Sequence, residues 1–500
     1  MKTIDLLFID PNIENYSRLN DDYLSDIEFN CFQSVLPDKE YELFTNIMSK
    51  PLIDPAKIYE RQNIFKDLIK YQTFAEKLIS ICDMAQKNRM PKYDLVSRSI
   101  PPKEKLIEYL KVFSKTLEFP NKLLAAVRDK VFVSESLSKL RYQLDIEQEI
   151  NEIEDLITNL VNNILEDNIS LQIEFGKTFK LQYATIYSTG SKDITSSKRK
   201  LFKNKQITDG IPYGYDFIAD LQVGLMLESG VKNLSNILYQ INSHILSYCN
   251  SLSMQLSFYI SGMKIIKYLE STGVNIYFPS LTSEENKLNT EGLLDVGLII
   301  KRGASKDVIP NDFNSENNSF YLISGVNQGG KTTFLKSVGM AQLFSQNGLP
   351  VAAANYTSSI FHNFISHFPK GEDDQLNSGK LEEELLRFKR DLPLMVKNSL
   401  ILMNESFATT TEREGSEISI DSLRALSFTK PMLFFVTHNY VLLKNKNEYS
   451  STFQNGISLR SLITIKGSTP EERTYKLIEG EPQEEINTIE FLKERFLNTN

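Results

Sequence analysis

A glycine-rich stretch, GVNQGGKTT at residues 325–333, holds the residue types that bind phosphate groups. It fits the pattern G-x-x-x-x-G-K-[ST] at Gly325, Gly330, Lys331 and Thr332, and it directly follows the apolar run FYLIS. Glycines let the backbone wrap around phosphates, the lysine reaches the β and γ phosphates, and the threonine hydroxyl can ligate Mg²⁺. The order of strand, loop and helix therefore predicts a nucleotide site, with ATP and Mg²⁺ as cofactors.

Three further side chains with suitable chemistry follow apolar runs downstream. Glu405 comes directly after SLILMN and can orient a water molecule for attack on a phosphate. His438 follows MLFFVT, where an imidazole can meet the γ phosphate. Asn404 stands where a magnesium-handling aspartate is expected, and its amide keeps an acceptor oxygen but carries no charge. We therefore expect slow hydrolysis that demands a high Mg²⁺ concentration.

The elements that must position these groups change in character after Pro279. Short apolar runs, FYLISGV, SLILMNE and MLFFVTH, alternate with helical segments, which predicts an α/β domain with a largely parallel sheet. Two shorter strands, SLRSLITI and TYKLIEG, follow, and the tail from Glu481 is predicted to form a peripheral helix.

Long helices are predicted upstream, because Pro212 is the only proline between Asn121 and Phe278. The 4-3 spacing of a coiled coil recurs at Ile146, Ile150, Ile153, Ile157, Leu160 and Ile164. A second apolar run passes through Leu234, Ile237, Leu238, Ile241, Ile245 and Tyr248. The pattern favours an antiparallel arm with a loop-rich insert at about residues 166–215; an ordinary helical bundle is the alternative.

The insert contains the densest basic cluster of the chain, within SKDITSSKRKLFKNK. Its cations are Lys192, Lys198, Arg199, Lys200, Lys203 and Lys205. Such a run is commonly a solvated loop. At the tip of an arm it becomes a candidate contact to the phosphate backbone of DNA, for which we single out the five cations from Lys198 to Lys205.

The bulk properties set limits on these interpretations. A chain of 500 residues with 41% apolar residues predicts two or three globular domains. The net charge of −8 argues against a general nucleic-acid coating protein, so any DNA contact must be local. Three scattered cysteines and four histidines offer no zinc cluster, and no segment has the length and apolarity of a membrane span. We expect a cytoplasmic protein that does not contact membranes.

With these pieces in order, the chain resembles the MutS family, whose ATPase is related to those of ABC transporters. The stretch SGVNQGGKTTFLKSVGMAQ, which includes Asn327, resembles the family's phosphate loop TGPNMGGKST. SLILMNESFATTTEREG resembles SLVLMDEIGRGTSTYDG, and FFVTHNY resembles FATHYHEL. Upstream, MSKPLIDPAKIYERQNIFKDLI resembles the opening of the family's core and lever region through Leu52, Asp54, Arg61 and Gln62.

The resemblance implies an α plus α/β multidomain fold. It places an all-α core at residues 1–120 and a lever with a long arm and clamp-like tip at 121–280. A P-loop, ABC-type α/β ATPase domain would occupy residues 281–480, followed by a tail at 481–500. A fold of this kind joins an ATP site to a DNA clamp through long helices.

The resemblance also implies a homodimer that sandwiches each ATP. The partner's signature segment would be LNSGKLEEELLRF, with Ser378 and Gly379 reaching the γ phosphate in trans, and Val308 falls where the family stacks an aromatic ring on adenine. Further cofactor contacts fall at the loop residues Gly325, Asn327, Gly329, Gly330, Lys331, Thr332 and Thr333. Because we find no segment for mismatch-reading, connector or nuclease-like domains, we expect DNA binding by shape and backbone charge.

Two functions from different classes follow from these residues. The first is a MutS-like, DNA-binding ATPase that couples slow hydrolysis to DNA clamping in mismatch repair or recombination. The second is an ATP-binding structural protein with little hydrolysis that holds a protein partner, which the acidic charge and Asn404 favour. A P-loop kinase fits the downstream strands and His438 poorly.

Overall fold

The computed structural model describes residues 5–8, 16–90, 102–146, 169–175, 181–188, 217–370, 379–466 and 473–482. Several predictions fall outside these residues: the first coiled-coil run beyond Ile146, the basic cluster at 192–205, Ser378, and the tail beyond residue 482. The described chain divides into two compact units. One takes its residues from Thr73–Phe132 and Ser136–Gln255, and the other from Asp5–Gln72, Val133–Glu135 and Leu256–Asn500.

The first unit is mainly helical. Its helices are α4 (Phe74–Gln86), α5 (Pro102–Val127), most of α6 (Glu135–Ile146) and the first part of α7 (Phe217–Ser271). Helix α7 runs for 55 residues, about 80 Å at 1.5 Å per residue. It contains the second predicted apolar run, of which Leu238, Ile245 and Tyr248 are buried while Ile237 and Ile241 are exposed. Among the described residues, no helix combines the length and apolarity needed to cross a membrane.

A β-hairpin lies where we predicted only a loop-rich insert. Strands β2 (Ile169–Phe175) and β3 (Leu181–Ser188) pair in antiparallel fashion, with Ile169 opposite Ser188. Apolar residues alternate with polar ones along ISLQIEF, which is the period of a strand. That alternation was the signal for this hairpin in the sequence.

The second unit begins with short elements that precede its main sheets. These are β1 (Arg18–Leu19), α1 (Tyr23–Asp26), α2 (Asp38–Met48) and α3 (Pro55–Lys70). Helix α3 starts where Asp54 accepts a hydrogen bond from the Ala56 amide and proline occupies the first helical position. Strand β1 was not predicted; it joins the large sheet, where Arg18 pairs with Asn363.

The remaining elements of the second unit alternate between strands and helices, as predicted. The strands are β4 (Ser280–Leu281), β5 (Leu288–Leu293), β6 (Asn311–Asn314), β7 (Ser319–Ser324), β8 (Asn355–Ser358), β9 (Asn363–His367), β10 (Ser399–Asn404), β11 (Met432–Val436), β12 (Ser458–Lys466) and β13 (Arg473–Glu479). The helices are α8 (Val296–Arg302), α9 (Lys331–Gln346), α10 (Lys380–Asp391), α11 (Glu412–Leu426), α12 (Tyr440–Lys444) and α13 (Lys446–Ser451).

A seven-stranded sheet carries the site. Its order is β1-β9-β10-β11-β7-β12-β13, with all neighbours parallel except the antiparallel pair β12 and β13. Strands β7, β10 and β11 are buried along their whole length, which explains their unbroken apolar runs. Because these strands are parallel, their carboxyl ends meet at one edge, where ligands of open α/β sheets commonly bind.

Candidate functional site

The glycine-rich stretch at residues 325–333, which we call the phosphate loop, leads from β7 into helix α9. Its backbone needs glycine at two points. Gly325 has φ 124° and Gly330 has φ 90°, both in the range that side chains rarely adopt. A Cβ at Gly325 would also overlap the side chain of Thr464 on β12. The loop therefore depends on its glycines for conformation and for space, as the sequence pattern predicted.

The Lys331 ammonium group and the Thr332 hydroxyl of the loop are held by hydrogen bonds. The buried Lys331 ammonium donates to the carbonyl oxygens of Gly325 at 2.9 Å and Val326 at 3.1 Å. The Thr332 hydroxyl donates to Oδ1 of Asn404, the last residue of β10, at 2.9 Å. Since that bond uses the hydroxyl proton, the Thr332 oxygen keeps its lone pairs for a cation.

Glu405 and His438 lie together just beyond adjacent strands. The Glu405 amide donates to the Val436 carbonyl at 2.8 Å, and Oε1 of Glu405 lies 3.4 Å from Nε2 of His438. Glu405 adopts a left-handed backbone with φ 48°, an uncommon conformation that is frequent at functional sites. Both side chains are partly exposed, so the carboxylate can reach a water molecule.

The loop after Glu405 is fixed by a polar network that we did not predict. Oε1 of the buried Glu384 accepts a hydrogen bond from the Phe407 amide at 2.7 Å, and Oε2 accepts one from the Thr409 hydroxyl at 3.0 Å. Nδ1 of His367 lies 2.9 Å from the Ser406 hydroxyl. These contacts join helix α10 and strand β9 to the loop that carries the proposed catalytic carboxylate.

Burial lowers the pKa of His367 in this network, and the nearby Arg387 charge adds to the effect. The imidazole is thus neutral at physiological pH. A neutral ring suits an interior position beside Phe388 and Phe407, with ring centroids at 5.5 and 5.6 Å. We infer a structural role for His367, in contrast to His438 at the sheet edge.

A cleft of about 390 Å³ opens over the phosphate loop. Its lining residues are Leu298, Arg302, Asp307, Val308, Ile309, Asn311, Asn327, Gln328, Gly329, Gly330, Lys331, Thr332, Thr333, Glu405 and Tyr475. The predicted residues Asn327, Gly329–Thr333, Val308 and Glu405 thus share one cavity. Asn404 and His438 do not line the cleft, but they contact the lining residues Thr332 and Glu405, respectively.

The lining of the cleft also contains an aromatic residue that the sequence did not indicate. Tyr475 on β13 is 40% exposed and has φ 54°. Asn311 holds its backbone in place, because the Asn311 amide donates to the Tyr475 carbonyl at 3.1 Å and accepts from the Leu477 amide at 2.8 Å. The buried Val308 lines the same cleft. No local motif marks Tyr475, since only the fold brings it into one cleft with Val308.

Gly379 is a further predicted site residue that does not line the cleft. It caps the start of helix α10 and is exposed, and no heavy atom of the described residues, apart from its chain neighbours, would lie within 4 Å of a Cβ at this position. The expected contact of this residue with ATP is one made in trans to a partner subunit.

The groups around the cleft fit a magnesium nucleotide. Loop amides and Lys331 suit the phosphates, and the Thr332 hydroxyl and Asn404 amide are oxygen ligands of the kind that Mg²⁺ prefers. Val308 and the Tyr475 ring offer apolar faces for a base. The whole set lies within the second unit.

Comparison with known proteins matches the chain to two family profiles. The profile described as MutS2 N-terminal domain matches residues 53–272, and the one described as MutS domain V matches residues 321–466. The second match includes the phosphate loop, Asn404, Glu405 and His438.

Individual relatives give the same result. An Endonuclease MutS2 of Streptococcus mutans is 26% identical over 218 residues, which cover 43% of this chain and 26% of that protein. One from Caldicellulosiruptor saccharolyticus is 26% identical over 267 residues, or 52% and 32% of the two chains. A DNA mismatch repair protein MutS of Staphylococcus epidermidis is 24% identical over 287 residues, or 55% and 32%. The similarity thus spans about a third or less of these relatives' length.

Proposed function

The chain belongs to the MutS family, and from this premise we propose that it is a DNA-responsive ATPase that binds ATP with Mg²⁺ in the cleft of the second unit. The observation that carries the proposal is the convergence on one sheet edge of the phosphate loop, the Thr332–Asn404 hydrogen bond and the Glu405–His438 contact. These groups are the parts that phosphoryl transfer to water requires.

Each residue has a distinct role in the proposed reaction. Backbone amides of the loop and the Lys331 ammonium bind the phosphates, while Val308 and Tyr475 pack against the base. Thr332 and Asn404 would hold Mg²⁺, which neutralises charge on the phosphates when it is bound. Because Asn404 supplies no charge, the ion is held weakly and hydrolysis is slow.

Glu405 orients the attacking water in this mechanism. The water gives up a proton to the Glu405 carboxylate as its oxygen bonds to the γ phosphorus. The bond from that phosphorus to the β–γ bridging oxygen breaks, that oxygen keeps the bonding electrons, and ADP and inorganic phosphate leave. The carboxylate lies close enough to His438 for the imidazole to fix its orientation and to face the γ phosphate. Lys331 stabilises the charge that develops on the phosphate oxygens.

The proposed partners are DNA and a second copy of the chain. Both named groups of relatives support a DNA partner, because one is called an endonuclease and the other a DNA mismatch repair protein. We propose that the helical region up to residue 280 clamps DNA by contacts to the phosphate backbone of the DNA. The ATPase domain at 281–480 of one subunit would bind that of the other around ATP. Ser378 and Gly379 of each subunit would complete the partner's site.

An ATPase titration tests this function. The hydrolysis rate is measured with homoduplex, mismatched and four-way-junction DNA at 50 and 200 mM salt. We expect at least one DNA to change the rate and its effect to weaken steeply with salt, since backbone contacts release counterions. A rate indifferent to all three DNAs, together with no DNA binding at low salt, would contradict the proposal.

A second candidate function is an ATP-dependent structural protein that holds a protein partner. Asn404 favours it, because an amide at this position weakens the hold on Mg²⁺ and so slows turnover. In that case ATP binds and is not turned over. Replacement of Glu405 by glutamine separates the two functions.

A further inference from the structure

The segment 405–409, which we call the carboxylate loop, follows β10 and has an uncommon backbone conformation. Glu405 and Phe407 both lie in the left-handed region, with φ 48° and φ 63°. Residues other than glycine lose free energy in this region, because the Cβ crowds the neighbouring carbonyl oxygen. The loop therefore needs contacts from other elements to keep the conformation in which Oε1 of Glu405 lies 3.4 Å from Nε2 of His438.

Glu384 on helix α10 holds this loop at two points. Its side chain is 4% exposed, and its oxygens accept hydrogen bonds from the Phe407 amide at 2.7 Å and from the Thr409 hydroxyl at 3.0 Å. The Phe407 amide belongs to one of the two left-handed residues, and its bond to Glu384 is buried. Loss of the acceptor would leave a buried amide unsatisfied, which favours a different conformation of the loop.

Other contacts fix the remaining parts of Phe407. Its ring is buried and packs edge-on against the ring of Phe388 on helix α10, with the centroids 5.4 Å apart. Its carbonyl oxygen lies so close to helix α11 that a Cβ at Gly415 would be 2.6 Å from it. Glu384 thus fixes the amide side of Phe407, which is the side that leads back along the chain to Glu405.

We propose that Glu384 is a positioning residue for hydrolysis: its carboxylate keeps the loop in the conformation that lets Glu405 orient the attacking water. The role rests on the proposed function, because it acts through the carboxylate that the proposed mechanism uses. Glu384 does not line the cleft, so its replacement should leave ATP affinity nearly unchanged. A side chain that only stabilised the fold would change the melting temperature without a selective loss of turnover.

Two replacements of Glu384 in the full chain test this role. Glu384→Met keeps the length of the side chain and removes both acceptors. Glu384→Gln keeps an oxygen that can accept from the Phe407 amide, and the Thr409 hydroxyl can turn to accept from the new amide group. The glutamine variant is therefore the conservative replacement that should rescue hydrolysis.

Asp67→Leu is the matched control. The Asp67 carboxylate on helix α3 is buried, and like Glu384 it accepts hydrogen bonds from the backbone, from the amides of Val133 at 3.0 Å and Ser134 at 2.8 Å. Its replacement removes a buried carboxylate of the same kind at a position outside the carboxylate loop. We expect this variant to melt at a lower temperature and to hydrolyse ATP at the wild-type rate.

The measurements are the single-turnover hydrolysis rate without DNA, the dissociation constant of a non-hydrolysable ATP analogue and the melting temperature. Glu384→Met should lower the rate about 10- to 100-fold, as expected when a catalytic group is displaced by about 1 Å, and leave the dissociation constant within about twofold. Glu384→Gln should hydrolyse within about threefold of the wild-type rate. If Glu384→Met does not fold, Thr409→Val loses one of the two bonds and should lower the rate about threefold.

A double-variant cycle shows whether the effect passes through Glu405. In a Glu405→Gln background the water-orienting carboxylate is already missing, so Glu384→Met should lower the remaining rate by less than about threefold. An equal loss in both backgrounds, or a wild-type rate in Glu384→Met, would overturn the positioning role and leave the proposed ATPase standing. If the wild-type chain hydrolyses no ATP, the proposed function fails, and the role of Glu384 fails with it.

Discussion

The lining of the cleft has two parts of different origin: consecutive residues 327–333, which we call the phosphate end, and residues from three separate stretches, which we propose as the base end. Leu298 and Arg302 come from helix α8, Val308 from the segment after it, and Tyr475 from the last strand. The phosphate end is thus a local structure, in which one loop supplies most of the contacts. The base end exists only once the sheet and its edge hairpin have formed.

The difference follows from what each end has to recognise. Phosphates accept hydrogen bonds from backbone amides, so a short glycine-rich turn before a helix suffices. A base offers flat apolar faces that require side chains on opposite sides, and elements distant in sequence must supply them. We therefore expect substitutions at the two ends to change different measurements.

Glu405→Gln should give the largest effect, and it tests the phosphate end. Loss of the carboxylate that orients water should lower the single-turnover rate by about 100-fold or more, while ATP affinity stays within a few-fold. The measurement is ATP hydrolysis with enzyme in excess. Glu417→Gln, at an exposed position of helix α11, is the control and should hydrolyse at the wild-type rate. An unchanged rate in Glu405→Gln would favour the structural protein over the ATPase.

Tyr475→Ala tests the base end. Loss of a ring that stacks on a base costs about 1–3 kcal/mol, so we expect the affinity for ATP to fall roughly tenfold. ADP should weaken equally, because the ring does not contact the γ phosphate. Tyr475→Phe keeps the ring and should bind both nucleotides nearly as the wild type does. If alanine left both dissociation constants unchanged, Tyr475 would not be a base contact.

The difference between local and tertiary structure also explains which elements could be predicted from the sequence. Strands β7, β10, β11, β12 and β13 were predicted, because buried runs and turn residues are local signals. The glycine-rich stretch 325–333 could be singled out for the same reason, since its pattern lies in consecutive residues.

What the sequence did not reveal depends on tertiary contacts. Strand β1 has two residues, too few for a periodic signal. Glu384 looks like one more charge in LEEELL, yet the fold buries it against the amide of Phe407. Tyr475 gains its position from the pairing of β13 with β12 and from Asn311. Side chains of this kind carry no spacing that would indicate their partners.

Asn404→Asp should have a moderate effect, confined to the phosphate end. An aspartate keeps the acceptor for the Thr332 hydroxyl and adds a negative charge near the cation. We expect the Mg²⁺ concentration for half-maximal hydrolysis to fall about 2- to 5-fold, since roughly 0.4–1 kcal/mol is typical of a partly screened charge. Asn404→Ala, which removes the acceptor, should raise it. An unchanged magnesium dependence in Asn404→Asp would show that the amide does not govern cation binding.

Glu28→Gln should have the smallest effect, a change in stability, and it concerns both the phosphate end and the base end of the cleft. The Glu28 carboxylate accepts a hydrogen bond at 2.7 Å from Lys301 on helix α8, at the base end, and one at 2.7 Å from Lys336 on the phosphate-loop helix. Burial alone would raise the pKa of Glu28, but the two lysines hold it below its ordinary value. The carboxylate thus couples the two walls of the cleft.

The pH dependence of stability follows from the direction of this shift. The folded-state pKa of Glu28 is lower than the unfolded-state value of about 4.3. The ionised carboxylate therefore contributes its full stabilisation above that pH, and this stabilisation is lost as the pH falls through the folded-state pKa. Both ion pairs are partly exposed, so we expect Glu28→Gln to lower the free energy of unfolding by about 1 kcal/mol at pH 7. Denaturant unfolding should therefore show a difference in the free energy of unfolding between variant and wild type that is smaller at pH 3.5 than at pH 7. If the difference in the free energy of unfolding were the same at both pH values, the packing of the Glu28 side chain, and not its charge, would hold the two walls of the cleft together.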